Sequence, residues 1–214
     1  MNVNNDSEKD YYSTQKKFWS VFARFYDFFI WPAARLRYRV VEFADAPHEA
    51  KILDVCTGTG KQAFAFAKRG YEVVGLDLSE AMLNVAKKKN RYDNLRFEIA
   101  DASNMPFDDY VFDVSCVSFA LHEMPVSIRE KVLKEMVRVT KPGGMILTVD
   151  FDLPKNRITR FFIYNFLKLF EGAHYVRYIK TSLKLSITKA GIVITGEIPV
   201  LLGGARIIKG STPP

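Results

Sequence analysis

Three aspartates each lie at the end of a short apolar run that is typical of a buried strand. Asp54 lies in "KILDV", Asp77 ends "VVGLD", and Asp101 follows "FEIA". If these runs are parallel strands, their carboxyl ends meet at one edge of a sheet, where open α/β sheets bind ligands. Three carboxylates at that edge favour a ligand that has several hydrogen-bond donors and a positive charge, and they would repel a pyrophosphate.

The segment after the first strand, "CTGTGKQA", is rich in glycine. Gly58 and Gly60 can adopt positive φ and let a ligand approach the backbone without a Cβ atom in the way. The residues from Gly58 to Ala63 also fit the dinucleotide pattern G-x-G-x-x-G/A, and Asp77 follows about 20 residues later, as that pattern expects. The loop therefore predicts a nucleotide-like ligand, and a nicotinamide dinucleotide is one alternative.

Short strand-like runs alternate with helical or loop segments between Lys51 and Phe151. Such alternation predicts parallel strands joined by right-handed crossovers. After Asp150 the pattern is less regular, and two extended runs joined by Gly203-Gly204 predict an antiparallel hairpin. We therefore expect an α/β fold with an open, mostly parallel sheet, an antiparallel last strand and helices on both faces. The five runs are "KILDV", "YEVVGLDL", "NLRFEIAD", "FDVSCVSF" and "GMILTVDF".

Two helix starts are indicated by capping residues. Ser79 is expected to cap the helix in "EAMLNVAKKKN", which has Glu80 at its positive end and lysines at its negative end. Ser127 and Glu130 have the spacing of a capping box in "SIREKVLKEMVRV". The following "KPGG" is expected to end that helix and lead into the fifth strand.

Length and composition restrict the possible classes of protein. A chain of 214 residues that is 48% apolar suits a single globular domain and excludes a disordered or fibrous protein. The net charge of +7 suits an anionic partner or a solvated basic surface. Cys56 and Cys116 lack metal-ligand spacing, so we expect no metal site. The polar, acidic start and the short apolar runs predict a cytoplasmic protein without a membrane span.

Five segments, taken in order, resemble the motifs of class I S-adenosylmethionine-dependent methyltransferases, and together they cover about Lys51 to Phe151. Three further segments, "FWSVFARFYDFF", "YVRYI" and "LLGGARIIKG", resemble elements of the ubiquinone and menaquinone C-methyltransferase family. The region between "VDFDLP" and "YVRYI" is shorter than in that family. The five motif-like segments are "ILDVCTGTG", "VVGLDLSEAML", "IADASNMPF", "FDVSCVSFALHEM" and "EMVRVTKPGGMILTVDF".

The resemblance implies a Rossmann-like, seven-stranded methyltransferase domain over residues 1–214. An N-terminal helical lid (1–46) would precede a cofactor-binding core (47–151) and a substrate-side helix with the C-terminal hairpin (152–214). S-adenosylmethionine would be the cofactor and S-adenosylhomocysteine the product, with Asp77 facing the ribose hydroxyls, Asp101 the adenine amino group, and Tyr26 closing over the cofactor. The residues implied to border the cofactor are Tyr26, Asp54, Gly58, Thr59, Gly60, Asp77, Leu78, Met82, Asp101, Ala102, Ser118 and Phe119.

Two residues at the ends of the fourth and fifth strands are candidates for catalysis. A phenol or hydroquinone acceptor gains nucleophilicity when it loses a proton, which requires a base. His122, in "FALHEM", is the best placed base, although a structural histidine bonded to the backbone is the alternative. Asp150 either faces the substrate or caps the loop that follows it.

Several functions are compatible with these residues. The first is methyl transfer to a small, hydrophobic acceptor such as a demethylated quinol. Phospholipid headgroup N-methylation, a nicotinamide-dependent oxidoreductase and a non-catalytic cofactor-binding regulator are the alternatives. Aromatic, arginine-rich segments at 18–31 and 161–170 either cover the sheet or contact an anionic membrane peripherally. A nucleic-acid substrate is not expected, because "SFALHE" stands after the fourth strand where an N/D-P-P-Y/F motif would indicate one. We expect the protein to be a monomer or a homodimer.

Overall fold

The computed structural model describes residues 11–12, 34–165 and 183–214. The aromatic segment at 18–31, with Tyr26, and the segment "YVRYI" lie outside the described residues. The strands are β1 (Lys51–Val55), β2 (Glu72–Asp77), β3 (Leu95–Ile99), β4 (Phe112–Ser118), β5 (Thr140–Phe151), β6 (Val193–Val200) and β7 (Ala205–Ser211). The helices are α1 (Ala34–Ala44), α2 (Lys61–Ala67), α3 (Glu80–Lys89), α4 (Val126–Val139), α5 (157–165, as far as it is described) and α6 (Leu183–Lys189).

In the described part of the chain, the strands form one seven-stranded sheet with the order β3-β2-β1-β4-β5-β7-β6. Strands β1 to β5 pair in parallel, whereas β7 runs antiparallel to both of its neighbours, β5 and β6. The predicted mostly parallel sheet with an antiparallel last strand is therefore confirmed. The strand order reverses at β1, which lies between β2 and β4, and this is the position where a ligand site is expected in such a sheet.

Helices cover both faces of the sheet, as the alternating pattern predicts. Successive residues of β1 point to opposite faces, so that Ile52 belongs to one hydrophobic cluster and Leu53 to the other. The first cluster includes Phe66 of α2, and the second includes Leu133 of α4. The central strands are thus buried on both faces of the sheet, and a site is expected at their carboxyl ends.

The two predicted helix starts have different outcomes. The Ser79 hydroxyl accepts a hydrogen bond from the backbone N–H of Met82, which confirms this cap. The capping box at Ser127 is wrong, because α4 already begins at Val126 and follows Pro125 without a side-chain cap. The fixed φ of proline is preorganised for a helix start, so α4 needs no serine there.

The fifth strand is longer than predicted. The residues of "KPGG" belong to β5, which begins at Thr140, directly after α4. The pairing of β4 with β5 shifts its register between Phe112 and Val114, so the glycines are accommodated as an irregularity at the start of the strand. None of the described helices combines the length and the apolar character that a membrane span requires.

Candidate active site

The glycine loop follows β1 at the carboxyl edge of the sheet. Gly58 has φ 56° and Gly60 has φ 81°, a region that favours glycine. A Cβ atom on Gly58 would meet no atom within 4 Å, so the space beside it is open. A Cβ atom on Gly60 would lie 3.0 Å from the rings of Phe64 and Phe97. Gly60 is therefore needed for packing at the start of α2, whereas Gly58 leaves room for a ligand.

Asp77, the last residue of β2, holds this loop in place. Its Oδ2 atom accepts a hydrogen bond from the Gly58 N–H at 2.8 Å, and its Oδ1 atom accepts one from the Ser79 N–H at 2.8 Å. Burial raises the pKa of Asp77, and these backbone donors oppose the rise. Each carboxylate oxygen has a second lone pair, so Asp77 can anchor the loop and still accept from a ligand. Its role toward a ribose stays a prediction.

Asp54 is buried one residue before the end of β1, with only 1% of its surface exposed. Its Oδ2 atom accepts a hydrogen bond from the Thr57 hydroxyl. Burial raises the pKa of Asp54 to about 7; the Thr57 hydroxyl and the charge of Arg37 oppose the rise, whereas Asp77 adds to it. The protonation of Asp54 can therefore change near neutral pH, and a positively charged ligand would favour its ionised form.

Asp101 follows β3 and is linked to the start of the chain. Its Oδ1 atom accepts a hydrogen bond from the Ser103 N–H at 2.8 Å, and the Ser103 hydroxyl lies 3.0 Å from the Tyr12 hydroxyl. Tyr11, Tyr12 and Cys56 of the glycine loop all pack against the same hydrophobic cluster. Burial, with added contributions from Cys56 and Glu123, raises the pKa of Tyr11.

The tyrosine pair is a feature that the sequence prediction missed. The lid role was predicted for Tyr26, which lies outside the described residues. Tyr11 and Tyr12 contact the carboxyl edge instead, and the only signal for them was two adjacent aromatic residues in a polar segment. We therefore treat them as residues that border the site.

The other predicted cofactor-binding residues lie near the same edge. Met82 and Ala102 are buried, and Thr59 is buried in the glycine loop, whereas Leu78 and Ser118 are half-buried at or just beyond strand ends. Phe119 follows Ser118 with φ 53°, an uncommon conformation for a residue with a side chain, and its ring lies 5.3 Å from that of Phe151. The roles of these residues toward the cofactor stay predictions.

His122 and Asp150 form a buried pair between the ends of β4 and β5. The His122 Nδ1 atom lies 2.8 Å from Asp150 Oδ1, and the His122 backbone N–H donates to Asp150 Oδ2 at 3.1 Å. The Phe151 N–H also donates to Oδ1, and the Phe151 ring packs 4.7 Å from the imidazole. A carboxylate that accepts from Nδ1–H leaves Nε2 as the basic nitrogen. This arrangement can take a proton from an acceptor hydroxyl.

Arg129 supports the turn that carries His122. The side chain of Arg129 is buried, its Nε donates to the Leu121 carbonyl at 3.0 Å, and an Nη donates to the Met124 carbonyl at 3.2 Å. Sequence reasoning missed this residue. The signal was its spacing of four and seven residues from Leu133 and Met136, which places it on the apolar face of α4.

Comparison with known proteins agrees with this architecture. The family described as "Methyltransferase domain" matches residues 52–144. The demethylmenaquinone methyltransferase of Paenarthrobacter aurescens is 41% identical over 120 residues, which are 56% of this chain and 46% of that protein. The ubiquinone/menaquinone biosynthesis C-methyltransferase UbiE of Idiomarina loihiensis is 38% identical over 128 residues, 55% of this chain and 50% of that protein. The chain thus spans about half the length of the curated relatives it matches.

Solved structures share the fold at lower identity. A SAM-dependent methyltransferase from Aquifex aeolicus superimposes with a TM-score of 0.65 and 21% identity, over 82% of this chain and 88% of that one. The predicted fold and the predicted resemblance to methyltransferases that use S-adenosylmethionine are confirmed, and these matches favour a methyltransferase over a nicotinamide-dependent oxidoreductase. Residues 52–144 thus match a methyltransferase domain, and the chain is similar to S-adenosylmethionine-dependent methyltransferases in sequence and in fold.

Proposed function

We propose that this domain methylates a ring carbon of a small, hydrophobic phenol-type acceptor such as a demethylated quinol. The observation that carries the proposal is the His122–Asp150 pair, which provides an oriented base beside the aromatic rings of Phe119 and Phe151. The names of the relatives, which are demethylmenaquinone and ubiquinone/menaquinone methyltransferases, support the same acceptor class.

The residues at the carboxyl edge fit S-adenosylmethionine. The carboxylates of Asp54, Asp77 and Asp101 lie at or next to the ends of three adjacent strands, and Gly58 leaves open space beside them. Asp54 would hold the amino group of the amino-acid part, Asp77 the ribose hydroxyls and Asp101 the adenine amino group. When bound, S-adenosylmethionine supplies a methyl group that is activated by the positive charge on its sulfur.

The contribution of His122 is to move a proton. Its Nε2 atom would accept the proton of the acceptor hydroxyl, which increases the electron density on the ring and therefore its nucleophilicity. Asp150 keeps the imidazole in the required tautomer and stabilises the imidazolium that forms. A positioned general base contributes roughly 100-fold or more to such a rate.

Phe119 and Phe151 would form the apolar wall of the acceptor site. The Phe151 ring packs against the imidazole, and the Phe119 ring lies 5.3 Å from that of Phe151, so a flat aromatic acceptor could pack there while its hydroxyl points toward His122. Excluding water from this position also prevents solvent from competing for the base.

The experiment that tests the proposal is incubation of the protein with deuteromethyl-labelled S-adenosylmethionine and a lipid and quinone extract, followed by mass spectrometry. Label on a quinone ring is the expected result. Label on a phospholipid headgroup would overturn the quinol assignment in favour of N-methylation. No label on either class, although S-adenosylhomocysteine binds, would overturn both lipid acceptors.

Two single histidine variants provide the matched comparison. His122→Ala should slow labelling by roughly 100-fold or more while S-adenosylhomocysteine binding persists. His48→Ala, at an exposed histidine in the loop before β1, should label as the wild type does. Equal labelling by both variants would remove the base from the proposal.

A further inference from the structure

Large apolar side chains are exposed together at one end of the described chain. Phe161 and Phe162 of α5 are 65% and 66% exposed, and Ile158 is exposed on the same helix. Leu201 is also exposed at the tip of the β6–β7 hairpin, and Leu202 there is 88% exposed. We name these five residues the apolar patch. A cluster of this kind on a protein surface marks an interaction site more often than isolated exposed residues do.

Helix α5 and the hairpin tip, which carry the two parts of the apolar patch, lie next to each other. A Cβ atom on Gly204, next to the hairpin tip, would lie 3.1 Å from Ile163 of α5. A Cβ atom on Gly203 would lie 3.4 Å from Pro154, and the Arg160 side chain donates to the Pro154 carbonyl at 2.8 Å. Helix α5 and the hairpin tip therefore form one continuous surface.

The backbone at the hairpin tip is unfavourable for leucine. Leu201 and Leu202 have φ values of 49° and 56°, in the left-handed region where glycine and asparagine are far less strained. An exposed leucine gains no packing energy in water that would offset this strain. Leucine at these positions becomes favourable when its side chain leaves water for an apolar phase.

The charges beside the apolar patch are basic. Lys155, Arg157 and Arg160 are exposed at the start of α5 and on its first turn. The acidic groups nearby are compensated, because Arg206 pairs with both Asp152 and Glu197. Segments that bind the interface of an anionic bilayer combine lysine and arginine with exposed leucine and phenylalanine.

We propose that the apolar patch docks onto an anionic lipid bilayer. The leucine and phenylalanine side chains would enter the boundary between headgroups and acyl chains, while Lys155, Arg157 and Arg160 contact lipid phosphates. The hairpin tip lies at the carboxyl edge of the sheet, since Ala205, the first residue of β7, pairs with Phe151 beside His122. Docking would therefore bring the acceptor end of the site close to the lipid phase.

The proposal is tested by sedimentation of the whole protein with vesicles, a measurement that is independent of methyl transfer. Vesicles of phosphatidylcholine alone are compared with vesicles that also contain phosphatidylglycerol, at low and at high salt. We expect binding to the anionic vesicles that weakens at high salt. The double variant Lys155→Gln, Arg157→Gln should weaken binding by at least about tenfold.

Variants of the apolar side chains test their insertion into the bilayer separately from the attraction between basic side chains and lipid phosphates. Leu202→Asn keeps a residue that tolerates the left-handed conformation, and Phe162→Ser removes an exposed ring, so both should fold and lose vesicle binding. The matched controls are Val193→Thr, exposed at the other end of β6, and the pair Lys87→Gln, Lys88→Gln at the end of α3. These controls should bind as the wild type does.

Three results would overturn the proposal. The first is wild-type protein that stays in the supernatant with anionic vesicles at low salt. The second is unchanged binding by Phe162→Ser and Leu202→Asn. The third is concentration-dependent self-association that Phe162→Ser abolishes, without vesicle binding, because the apolar patch would then join two copies of the chain. Circular dichroism and S-adenosylhomocysteine binding check that each variant is folded.

Discussion

His122 and the carboxylate of Asp150 share two hydrogen bonds, one that involves ring Nδ1 at 2.8 Å and one from the His122 backbone N–H at 3.1 Å. A single buried carboxylate thus fixes both the ring and the main chain of the histidine. A histidine with only a packing role would not need the bond to its ring, whereas a general base needs that bond to keep its imidazole oriented. We therefore expect Asp150 to act as a positioning residue behind His122.

Replacing Asp150 by asparagine should lower turnover by roughly 100-fold, because an uncharged amide has only one acceptor oxygen. It cannot accept from both the ring and the backbone N–H of His122, and it stabilises the imidazolium less well than a carboxylate does. Affinity for S-adenosylhomocysteine should change little, since the aspartates proposed to hold the cofactor lie at β1, β2 and β3. Steady-state kinetics with a quinol acceptor and calorimetry measure the two quantities. Asp152→Asn, two residues along the chain, is the control, and equal losses of turnover in both variants would contradict the orienting role.

The buried Arg129 should matter through the turn that it supports. In Arg129→Met, the carbonyls of Leu121 and Met124 lose buried donors, which should lower the free energy of unfolding by about 1–3 kcal/mol. Turnover should fall as well, because His122 lies in that turn. Arg69→Met, at an exposed arginine 3.6 Å from Glu42, should change neither quantity. Chemical denaturation and kinetics distinguish the outcomes, and a stable, fully active Arg129→Met would reject the support role.

Asp77 is expected to act on the loop and on the cofactor together. Asp77→Ala removes the acceptor of both the Gly58 and the Ser79 N–H groups, so S-adenosylhomocysteine affinity should fall by roughly 10- to 100-fold and thermal stability should also drop. Asp77→Asn retains one acceptor and should have a smaller effect on stability than on affinity. Calorimetry and thermal melts measure both, with the exposed Asp108→Asn as control. Wild-type affinity in Asp77→Ala would show that this carboxylate does not face the ligand.

The sheet was predictable because its signals are local. The apolar runs, the glycines after β1 and the Ser79 cap each depend on neighbouring residues, and the sequence of Lys51 to Phe151 predicts them correctly. The hydrogen bonds of Asp150 to His122 were not predictable from local patterns. Asp150 contacts His122 across 28 residues, and that contact depends on β4 and β5 being neighbours in the sheet.

The start of α4 was mispredicted for a similar reason. Ser127 and Glu130 have the spacing of a capping box, but the preceding turn at Leu121–Glu123 and Pro125 already determines where the helix begins. Tyr12 meets Ser103 across 91 residues, so nothing next to it in the sequence indicates a site. Local sequence patterns therefore did not predict the residues whose contacts at the site are made with residues far away in the sequence.

Tyr12 should retain the cofactor through its contact with Ser103, the neighbour of Asp101. Tyr12→Phe keeps the ring but loses the hydroxyl bond, so the dissociation rate of S-adenosylhomocysteine should rise about 3- to 10-fold. Stopped-flow displacement measures this rate. Tyr110→Phe, at an exposed tyrosine, is the matched control. Identical dissociation rates in the two variants would place Tyr12 outside the site.

Asp54 should make stability depend on pH in an unusual direction. Its pKa is raised from 3.8 to about 7 in the folded protein, so between these values the folded chain holds a proton that the unfolded chain has lost. The stabilising contribution is fully present below about pH 4 and is lost as the pH rises through about 7. Asp54→Asn, which cannot ionise, should lack this decrease in chemical denaturation at pH 5, 6 and 8.

The same denaturation measurements at several pH values can be made on a variant of Asp113 for comparison. Burial alone would raise the pKa of Asp113. The hydrogen bonds donated by Lys141 and the Lys51 N–H outweigh burial and leave this pKa below its ordinary value. Its contribution is therefore lost as the pH falls, the opposite direction from Asp54. Asp113→Asn should remove stability at neutral pH, whereas Asp54→Asn should preserve or increase it because no buried carboxylate then needs to ionise. If Asp54→Asn follows the wild-type pH dependence, another group holds the proton, and Asp54 is ionised in the folded protein.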